Sequence, residues 1–297
     1  MATKQFSQSY NKKEVLWGYA FITPILIGFI VFMLYPLLAS LYLSLTNSDG
    51  ITPPQFIGLD NYVNLFKDND FIQSLKVTVY YVVGTVPIGA LLSLLFALLL
   101  NQKVRFITFY RTAYFLPVIT SMVAVATVWK WLYNTDYGLI NGFLAKLGLF
   151  EPPWLANELW AMPSVMIMSI WKGIGFNMVI FLAGLQGISP SMYEAAKIDG
   201  ANSFQRFIYI TVPLLRHTTF FVIIMSIIGS FQVFDQIFVM TNGGPANSTS
   251  VIVYYIYQNA FIFFKQGYAS AMAYILFGII FIATLIQMKI ANRKDVN

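Results

Sequence analysis

Six long runs of apolar residues constrain the fold of this 297-residue chain more than any other feature. They cover residues 15–45, 75–100, 106–131, 160–185, 214–240 and 268–290. Each run is long enough for a helix that crosses a bilayer, which takes about 20 predominantly apolar residues. Charged residues make up only 10% of the chain, whereas a soluble domain carries about 25%. The sequence therefore predicts an all-α integral membrane protein with six transmembrane helices, the first of them uncleaved.

A seventh apolar run, residues 251–264, differs from the others in length. It is rich in tyrosine and phenylalanine but too short to cross a bilayer as a helix. Aromatic side chains of this kind collect at the membrane–water interface. We therefore expect an interfacial or re-entrant helix here.

The basic residues indicate the orientation of the chain. The net charge is +6, and most lysines and arginines lie in the segments on the side that holds the N-terminus, Lys4, Lys103 and Lys294 among them. Cytoplasmic loops carry such an excess of Lys and Arg. We expect both termini in the cytoplasm and a multi-pass location in a bacterial-type cell membrane. Because the charges accompany apolar spans, they indicate a lipid bilayer rather than nucleic acid as the partner.

The sequence offers no site for enzyme chemistry. It has no cysteine and a single histidine, His217, so a Cys/His metal site is excluded. The Walker A pattern, whose glycine-rich loop cradles phosphates, does not occur. We therefore expect a non-enzymatic chain that binds no cofactor or metal itself, and any use of ATP and Mg²⁺ would belong to a partner.

One long polar stretch, residues 189–213, separates the fourth and fifth apolar runs. Ser191 and Glu194 have the spacing of a capping box at the start of a short helix. Gly200 can end that helix, because glycine tolerates the left-handed conformation of a C-cap. Asn202 or Ser203 can cap a second helix, and Pro213 marks the next boundary. The basic residues place this stretch in the cytoplasm, and an ordinary amphipathic loop would show the same features.

The exact residues of this stretch resemble the EAA loop of permease subunits of ATP-driven (ABC) importers. The matching positions are Glu194, Ala195, Ala196, Asp199, Gly200, Ala201, Phe207 and Pro213. The resemblance implies the type I ABC importer permease fold. It also implies that the loop is a coupling helix seated in a cleft of a cytoplasmic ATPase, with Glu194 in a salt bridge to an ATPase arginine. The alternative role of Glu194 is that of a helix cap alone.

Three further segments are similar to the carbohydrate-importing branch of these permeases, the maltose and glycerol-phosphate type. They are residues 57–62 (IGLDNY), 171–173 (WKG) and 241–245 (TNGGP). The resemblance implies four kinds of partner: a second, homologous permease, two copies of an ABC ATPase that binds ATP and Mg²⁺, an extracytoplasmic sugar-binding protein, and a carbohydrate substrate. It also divides the chain into residues 1–70, with the N-terminal tail, first transmembrane helix and outer loop, and residues 71–297, the permease core with the coupling loop at 189–213.

Polar and small residues in the fourth and fifth runs are candidates for a substrate path. A charged side chain such as Lys172 costs at least about 2.5–3.5 kcal/mol in the middle of a span, so it usually faces a cavity or a partner. Gly173 is next to Lys172, and Phe176 lies one turn on, on the same helix face. In the fifth run, one stripe at helical spacing is formed by Ser226, Gly229, Ser230 and Val233. The resemblance carries the substrate site of the family onto these same seven residues. Two alternatives remain. Lys172 could form an ion pair with Asp235 or a partner subunit, and the small residues could serve helix packing alone.

These observations together predict one half of the translocation pathway of an ABC importer for a di- or oligosaccharide-like carbohydrate. Glycerol phosphate or another small polar solute is an alternative, because Lys172 is compatible with an anionic ligand. A secondary transporter that couples ions through Lys172 and Asp235 is an alternative of a different class.

Overall fold

The computed structural model describes residues 12–102 and 105–293. Lys4, Lys103 and Lys294, on which part of the orientation argument rests, lie outside this range. The chain divides into two compact units, one formed by Met1–Val63 with Asn259–Tyr274 and the other by Asn64–Gln258 with Ile275–Asn297. The division into residues 1–70 and 71–297 concerns sequence segments and stays a prediction.

The described residues are organised as helices. In chain order they are α1 (Lys12–Phe29), a π-helical turn (Ile30–Leu34), α2 (Tyr35–Ser44), α3 (Asp60–Leu65), α4 (Asn69–Leu100), α5 (Ile107–Ile119), α6 (Met122–Leu132), α7 (Leu139–Lys146), a 3₁₀ turn (Trp154–Ala156), α8 (Glu158–Gln186), α9 (Pro190–Ile198), α10 (Ser203–Arg206), a π-helical turn (Phe207–Thr211), α11 (Val212–Leu214), α12 (Arg216–Phe231), α13 (Asp235–Met240), α14 (Ile252–Tyr257), a π-helical turn (Gln258–Ile262) and α15 (Gln266–Arg293).

Four of the predicted spans are single helical segments that are long and apolar enough to cross a membrane. They are Leu16–Ser44, Asn69–Leu100, Glu158–Gln186 and Gln266–Ile290. The described chain reaches the predicted six spans only if each of two bent helix pairs counts as one span. The prediction of a helical membrane protein is therefore confirmed, while the exact number of spans stays a prediction.

The third span is not the continuous helix that the sequence suggested. It is a pair, α5 and α6, bent by 99° at Thr120 and Ser121. Pro117 lies in the last turn of α5, where its ring and its missing N–H weaken the helix. Hydropathy does not report such a break, because both arms are equally apolar.

The fifth span also departs from its predicted bounds of 214–240. Pro213 does not mark the boundary, because helical structure continues from Ser203 to Leu214 and bends by 64° before α12. Pro213 removes one backbone donor from this continuous helical stretch, and the helix ends at Leu214, one residue beyond it. At the other end α12 stops at Phe231, and Asp235 begins the separate helix α13.

The smaller unit joins the end of α2 to the loop that follows it. Asn61 donates side-chain hydrogen bonds to the carbonyls of Ser44 and Thr46, both at 2.8 Å. The hydroxyls of Ser44 and Tyr62 are 2.8 Å apart. The two bonds from Asn61 satisfy carbonyls at the C-terminus of α2 and just beyond it, where the last turn of any helix leaves acceptors without partners.

Two buried clusters form the core of the larger unit. The first joins α4, α6, α8, α13 and α14, with Tyr81, Val165, Met168, Ile237 and Tyr254 among its members. The second joins α4, α8 and α12, with Ala97, Met178, Phe181, Leu215 and Val222 among its members. Helices α4 and α8 contribute to both clusters, so α6, α12, α13 and α14 all pack against this pair.

Positively charged side chains close helix ends within the larger unit. Arg111 donates to the carbonyl of Leu100 at the end of α4, at 2.9 Å. Lys130 donates to the carbonyl of Val239 in the last turn of α13, at 3.0 Å. A cation at a helix C-terminus satisfies free carbonyls and complements the negative end of the helix dipole.

Candidate functional site

A cavity of about 340 Å³ lies within the larger unit. Helices α4, α8 and α12 supply most of its wall, and residues beside the α5–α6 break and the start of α13 complete it. The structure brings six of the seven predicted substrate residues to this wall: Lys172, Gly173, Phe176, Ser226, Gly229 and Ser230. The predicted residues of the fourth run, on α8, and those of the fifth run, on α12, therefore meet at one cavity.

Val233, the seventh predicted substrate residue, does not line the cavity. It is only 4% exposed and belongs to the first buried cluster. The helical spacing that grouped it with Ser226 and Ser230 ends at Phe231, where α12 stops. Beyond that point the chain leaves the helix, so Val233 faces the core instead of continuing the stripe.

Hydrogen-bonded polar side chains that were not predicted line the same cavity. Gln236 donates from its side-chain amide to the hydroxyl of Tyr81 at 3.0 Å and to that of Ser169 at 3.3 Å. Asn177 donates to the hydroxyl of Ser226 at 3.2 Å. Gln236 escaped detection because it belongs to α13 and not to the predicted stripe. Ser169 lies one turn before Lys172 on α8, and this spacing was a usable signal.

The glycines of the cavity leave open space and do not bring helices together. A Cβ atom added at Gly173 or Gly229 would meet no other atom within 4 Å. At Gly175 the same atom would lie 2.2 Å from the carbonyl oxygen of Tyr114, and at Gly184 it would lie 2.5 Å from the hydroxyl of Thr218. Close packing of α8 against its neighbours therefore depends on Gly175 and Gly184, and packing does not explain Gly173 or Gly229.

Lys172 has partners that neither sequence-based hypothesis anticipated. Its ammonium donates to the backbone carbonyls of Pro117, Val118 and Thr120, at 2.8, 3.3 and 3.0 Å. An ammonium has three donors and no acceptor, so these contacts use its full hydrogen-bonding capacity. Within residues 12–102 and 105–293, the structure shows no ion pair between Lys172 and Asp235.

The polar stretch at 189–213 begins with α9, and its cap differs from the predicted one. Pro190 occupies the first turn, so Ser189 is the N-cap and Ser191 lies inside the helix. The hydroxyls of Ser189 and Ser191 are 2.8 Å apart, and the cap residue makes no side-chain bond to the helix backbone. The predicted capping box of Ser191 and Glu194 is therefore wrong, because proline shifts the start of the helix.

The end of α9 agrees with the prediction. Gly200 has a φ of +80°. Its N–H reaches the carbonyl of Lys197 at 3.2 Å, while the N–H of Ala201 reaches that of Ala196 at 2.9 Å. This pair of bonds is the Schellman arrangement, which requires a residue in the left-handed conformation. Glycine at position 200 thus ends the helix as expected.

The second helix of this stretch, α10, carries the capping box. Asn202 accepts from the N–H of Gln205 at 2.9 Å, and the Gln205 side chain accepts from the N–H of Asn202 at 2.8 Å. Of the two predicted caps, Asn202 is therefore the correct one. Farther along, the hydroxyls of Tyr193 and Thr211 are 3.0 Å apart and tie α9 to the following π-helical turn.

Large side chains of the polar stretch at 189–213 are exposed on the described structure. Ile198, Phe204 and Tyr209 are 87%, 72% and 76% exposed, and Glu194 is exposed as well. An exposed apolar surface bordered by polar residues is typical of an interaction site. The loop is fixed by its own hydrogen bonds, so this surface is presented on an ordered element.

Comparison with known families gives a match over most of the chain. Residues 62–296 match the family described as "Binding-protein-dependent transport system inner membrane component". The matched range includes the cavity-lining residues and the whole polar stretch at 189–213.

Two curated relatives align along nearly the full length. The probable ABC transporter permease protein YesP of Bacillus subtilis (strain 168) is 41% identical over 286 residues, which are 95% of this chain and 92% of that protein. The lactose transport system permease protein LacF of Rhizobium radiobacter is 38% identical over 283 residues, 93% of this chain and 94% of that protein.

A solved structure shares the fold. It is a bacterial alginate ABC transporter in complex with an alginate pentasaccharide-bound periplasmic protein. The likeness has a TM-score of 0.84 at 25% identity and covers 95% of this chain and 96% of the matched chain. It confirms the fold class predicted from the sequence.

Proposed function

The chain belongs to the family of binding-protein-dependent transport system inner membrane components, and on that premise we propose that it forms half of the translocation pathway of an ABC importer for an uncharged di- or oligosaccharide. The observation that carries this proposal is the cavity at which Lys172, Ser226 and the other predicted residues of α8 and α12 meet. The named relatives include a lactose permease, which supports a carbohydrate as the cargo.

The chemistry of the cavity wall suits a sugar. Hydroxyl and amide groups are supplied by Tyr81, Thr85, Ser169, Asn177, Ser226, Ser230 and Gln236. Such groups can donate and accept hydrogen bonds, as sugar hydroxyls do. Phe176 is 47% exposed at the same wall, and its ring offers an apolar face to the C–H side of a sugar ring. A cavity of about 340 Å³ lies in the range of small-molecule sites, roughly 300–1,000 Å³.

The hydrogen bonds that Lys172 makes favour an uncharged sugar over glycerol phosphate as the cargo. Among the residues that line the cavity, all of which the structure describes, Lys172 is the one charged side chain. Its three donors are directed to backbone carbonyls, so none is free to bind a phosphate or carboxylate. An anionic cargo would have to displace these carbonyls before it could bind the ammonium.

A second, homologous permease would complete the pathway, and an extracytoplasmic binding protein would deliver the sugar, as the periplasmic protein in the alginate transporter complex suggests. Two copies of a cytoplasmic ATPase would bind ATP and Mg²⁺. We propose that residues 189–213 seat in this ATPase through Glu194 and the exposed side chains of Ile198 and Phe204, so that closure of the ATPase dimer moves the membrane helices.

The test is ATP hydrolysis by the complete purified complex in lipid nanodiscs. The complex is supplied with its binding protein and, in turn, neutral disaccharides and oligosaccharides, glycerol 3-phosphate and uronic-acid oligosaccharides. We expect a neutral sugar to stimulate hydrolysis, and we expect no stimulation when the ATPase is catalytically inactive. Stimulation by the anionic compounds alone would reject the uncharged substrate class.

A second measurement separates this proposal from ion-coupled transport. The complex is reconstituted in proteoliposomes, with ATP enclosed on the ATPase side and a proton uncoupler added. We expect uptake to require ATP and to survive the uncoupler. Uptake that continues without ATP and stops with the uncoupler would support the secondary-transport alternative.

A further inference from the structure

The break in the third span leaves backbone carbonyls at the end of α5 without helical hydrogen-bond partners. Helix α5 ends at Ile119 and α6 begins at Met122 after a bend of 99°. The last carbonyls of any helix lack intrahelical partners, and inside a bilayer they cannot turn to water. Thr120 satisfies one of them by donating from its hydroxyl to the carbonyl of Leu116 at 3.0 Å. The others need donors from elsewhere in the fold.

Lys172, on the neighbouring helix α8, supplies donors to two of them and to the carbonyl of Thr120 in the break. Its ammonium reaches the carbonyls of Pro117, Val118 and Thr120 within 2.8–3.3 Å. These three carbonyls belong to the last turn of α5 and to the break itself. A cation at this place also faces the negative end of the α5 dipole. Three carbonyls at the break therefore depend on the one side chain of Lys172.

Gly175, one turn after Lys172, holds the same end of α5 against α8. A Cβ atom at position 175 would lie 2.2 Å from the carbonyl oxygen of Tyr114 and 2.9 Å from a methyl group of Val118. The two helix backbones can approach this closely only because glycine has no side chain. Residues three apart share one face of a helix, so Lys172 and Gly175 present a single surface to α5.

Trp171, adjacent to Lys172, contacts the other arm of the bend. Its ring centroid lies 5.4 Å from that of Trp129 on α6, with the ring planes inclined at 58°. This separation is typical of favourable aromatic pairs. One turn of α8 therefore contacts both α5, which precedes the break, and α6, which follows it.

We propose that Trp171, Lys172 and Gly175 form a clamp that fixes the bend of the third span, and that Lys172 is a positioning residue and not a substrate ligand. Val118 and Met122, on either side of the break, line the cavity. The clamp thereby sets the position of one cavity wall. This assignment does not depend on the identity of the transported compound.

The test measures the distance between α5 and α6 in the complete complex without substrate. The natural chain has no cysteine, so spin labels can be attached at Phe109→Cys on α5 and Val128→Cys on α6, both at exposed positions. Lys172→Met removes the charge and keeps much of the side-chain length, whereas Lys172→Arg keeps a cation with several donors. We expect a single label distance in the parent and in Lys172→Arg, and a shifted or broadened distribution in Lys172→Met.

Gly175→Ala disturbs the same contact by steric means and is measured in parallel, so the proposal is decided even if one variant does not accumulate. The matched control is Gly278→Ala, because a Cβ atom there meets nothing within 4 Å. We expect a changed distance in Gly175→Ala and an unchanged one in Gly278→Ala. We also expect Lys172→Met to lose several-fold in maximal uptake rate. Unchanged label distances in both Lys172→Met and Gly175→Ala, with a change only in substrate concentration dependence, would overturn the clamp and return Lys172 to substrate contact.

Discussion

Asn177 on α8 donates a hydrogen bond from its side-chain amide to the hydroxyl of Ser226 on α12, at 3.2 Å. Both residues line the cavity, so the bond bridges two of its walls. A hydroxyl that accepts one hydrogen bond can still donate its own proton and accept a second bond. The pair therefore presents an oriented polar group to whatever occupies the cavity.

We expect Asn177→Ala and Ser226→Ala each to lower the maximal rate of sugar uptake about fivefold, because losing one hydrogen bond to the passing sugar costs about 1 kcal/mol. The two side chains act through one bond, so the double variant should lose little more than either single variant. The measurement is the initial uptake rate in proteoliposomes at saturating sugar-loaded binding protein. Thr23→Ala is the control, because the Thr23 hydroxyl bonds only to the carbonyl of Tyr19 in its own helix. If the fold reduction in the double variant equals the product of the two single reductions, the pair does not act as a unit.

Gly200 provides a test of the coupling stretch through backbone conformation alone. Its φ is +80°, and a Cβ atom added there would meet nothing within 4 Å, so a substitution introduces strain without a clash. We expect Gly200→Val to disturb the end of α9 and reduce uptake, since the left-handed conformation costs an L-residue about 1–2 kcal/mol. Asparagine tolerates this conformation better, so Gly200→Asn should retain most of the uptake. The amount of protein in the membrane is measured in both variants and should be unchanged. Uptake by Gly200→Val equal to that of the parent would contradict a role for this turn.

Glu194 tests the proposed contact with the ATPase. It is exposed on α9, and the loss of one member of a charge pair within an interface costs about 2–5 kcal/mol. We therefore expect Glu194→Gln to weaken co-purification of the ATPase and to lower uptake, with normal membrane insertion. Ser191→Ala is the control on the same helix, because its hydroxyl contacts only that of Ser189. Full retention of the ATPase by Glu194→Gln would leave Glu194 without the proposed role.

The orientation of the chain is open to direct labelling. Lys197 lies in the coupling stretch and Asp136 in the loop between α6 and α7, and both are exposed. The natural chain has no cysteine, so single variants Lys197→Cys and Asp136→Cys report one site each. We expect a membrane-impermeant maleimide to label Asp136→Cys in cells whose outer envelope is permeable, and Lys197→Cys only in inverted vesicles. Labelling of Lys197→Cys from outside would reverse the topology and remove the basis for ATPase coupling.

Much of the architecture and part of the site could be predicted from local sequence properties. The apolar runs predicted spans that the structure contains as single helices or bent pairs. Gly200 predicted the end of α9, since its freedom to adopt positive φ is a property of the residue itself. Helical spacing placed Lys172, Gly173 and Phe176 on one face, as it did Ser226, Gly229 and Ser230 on α12, and all six reach the cavity.

Other features escaped prediction because they depend on where a helix starts or stops. Pro190 moved the start of α9 and displaced Ser191 from the cap position. Because α12 ends at Phe231, Val233 lies in the core. Gln236 reaches the cavity from the separate helix α13. Where a helix ends before its predicted end, the residues beyond that point no longer follow its spacing.

The sequence by itself determined the membrane class, the order of the apolar segments, and the turn at Gly200, because hydropathy and glycine conformation are local properties of the chain. Only the tertiary structure decided that the third span breaks and that Lys172 satisfies its carbonyls. Both arms of the break are apolar, so the sequence carries no hydropathy signal for it. The donors that stabilise it come from a different helix, and only the packed fold brings them within hydrogen-bonding distance.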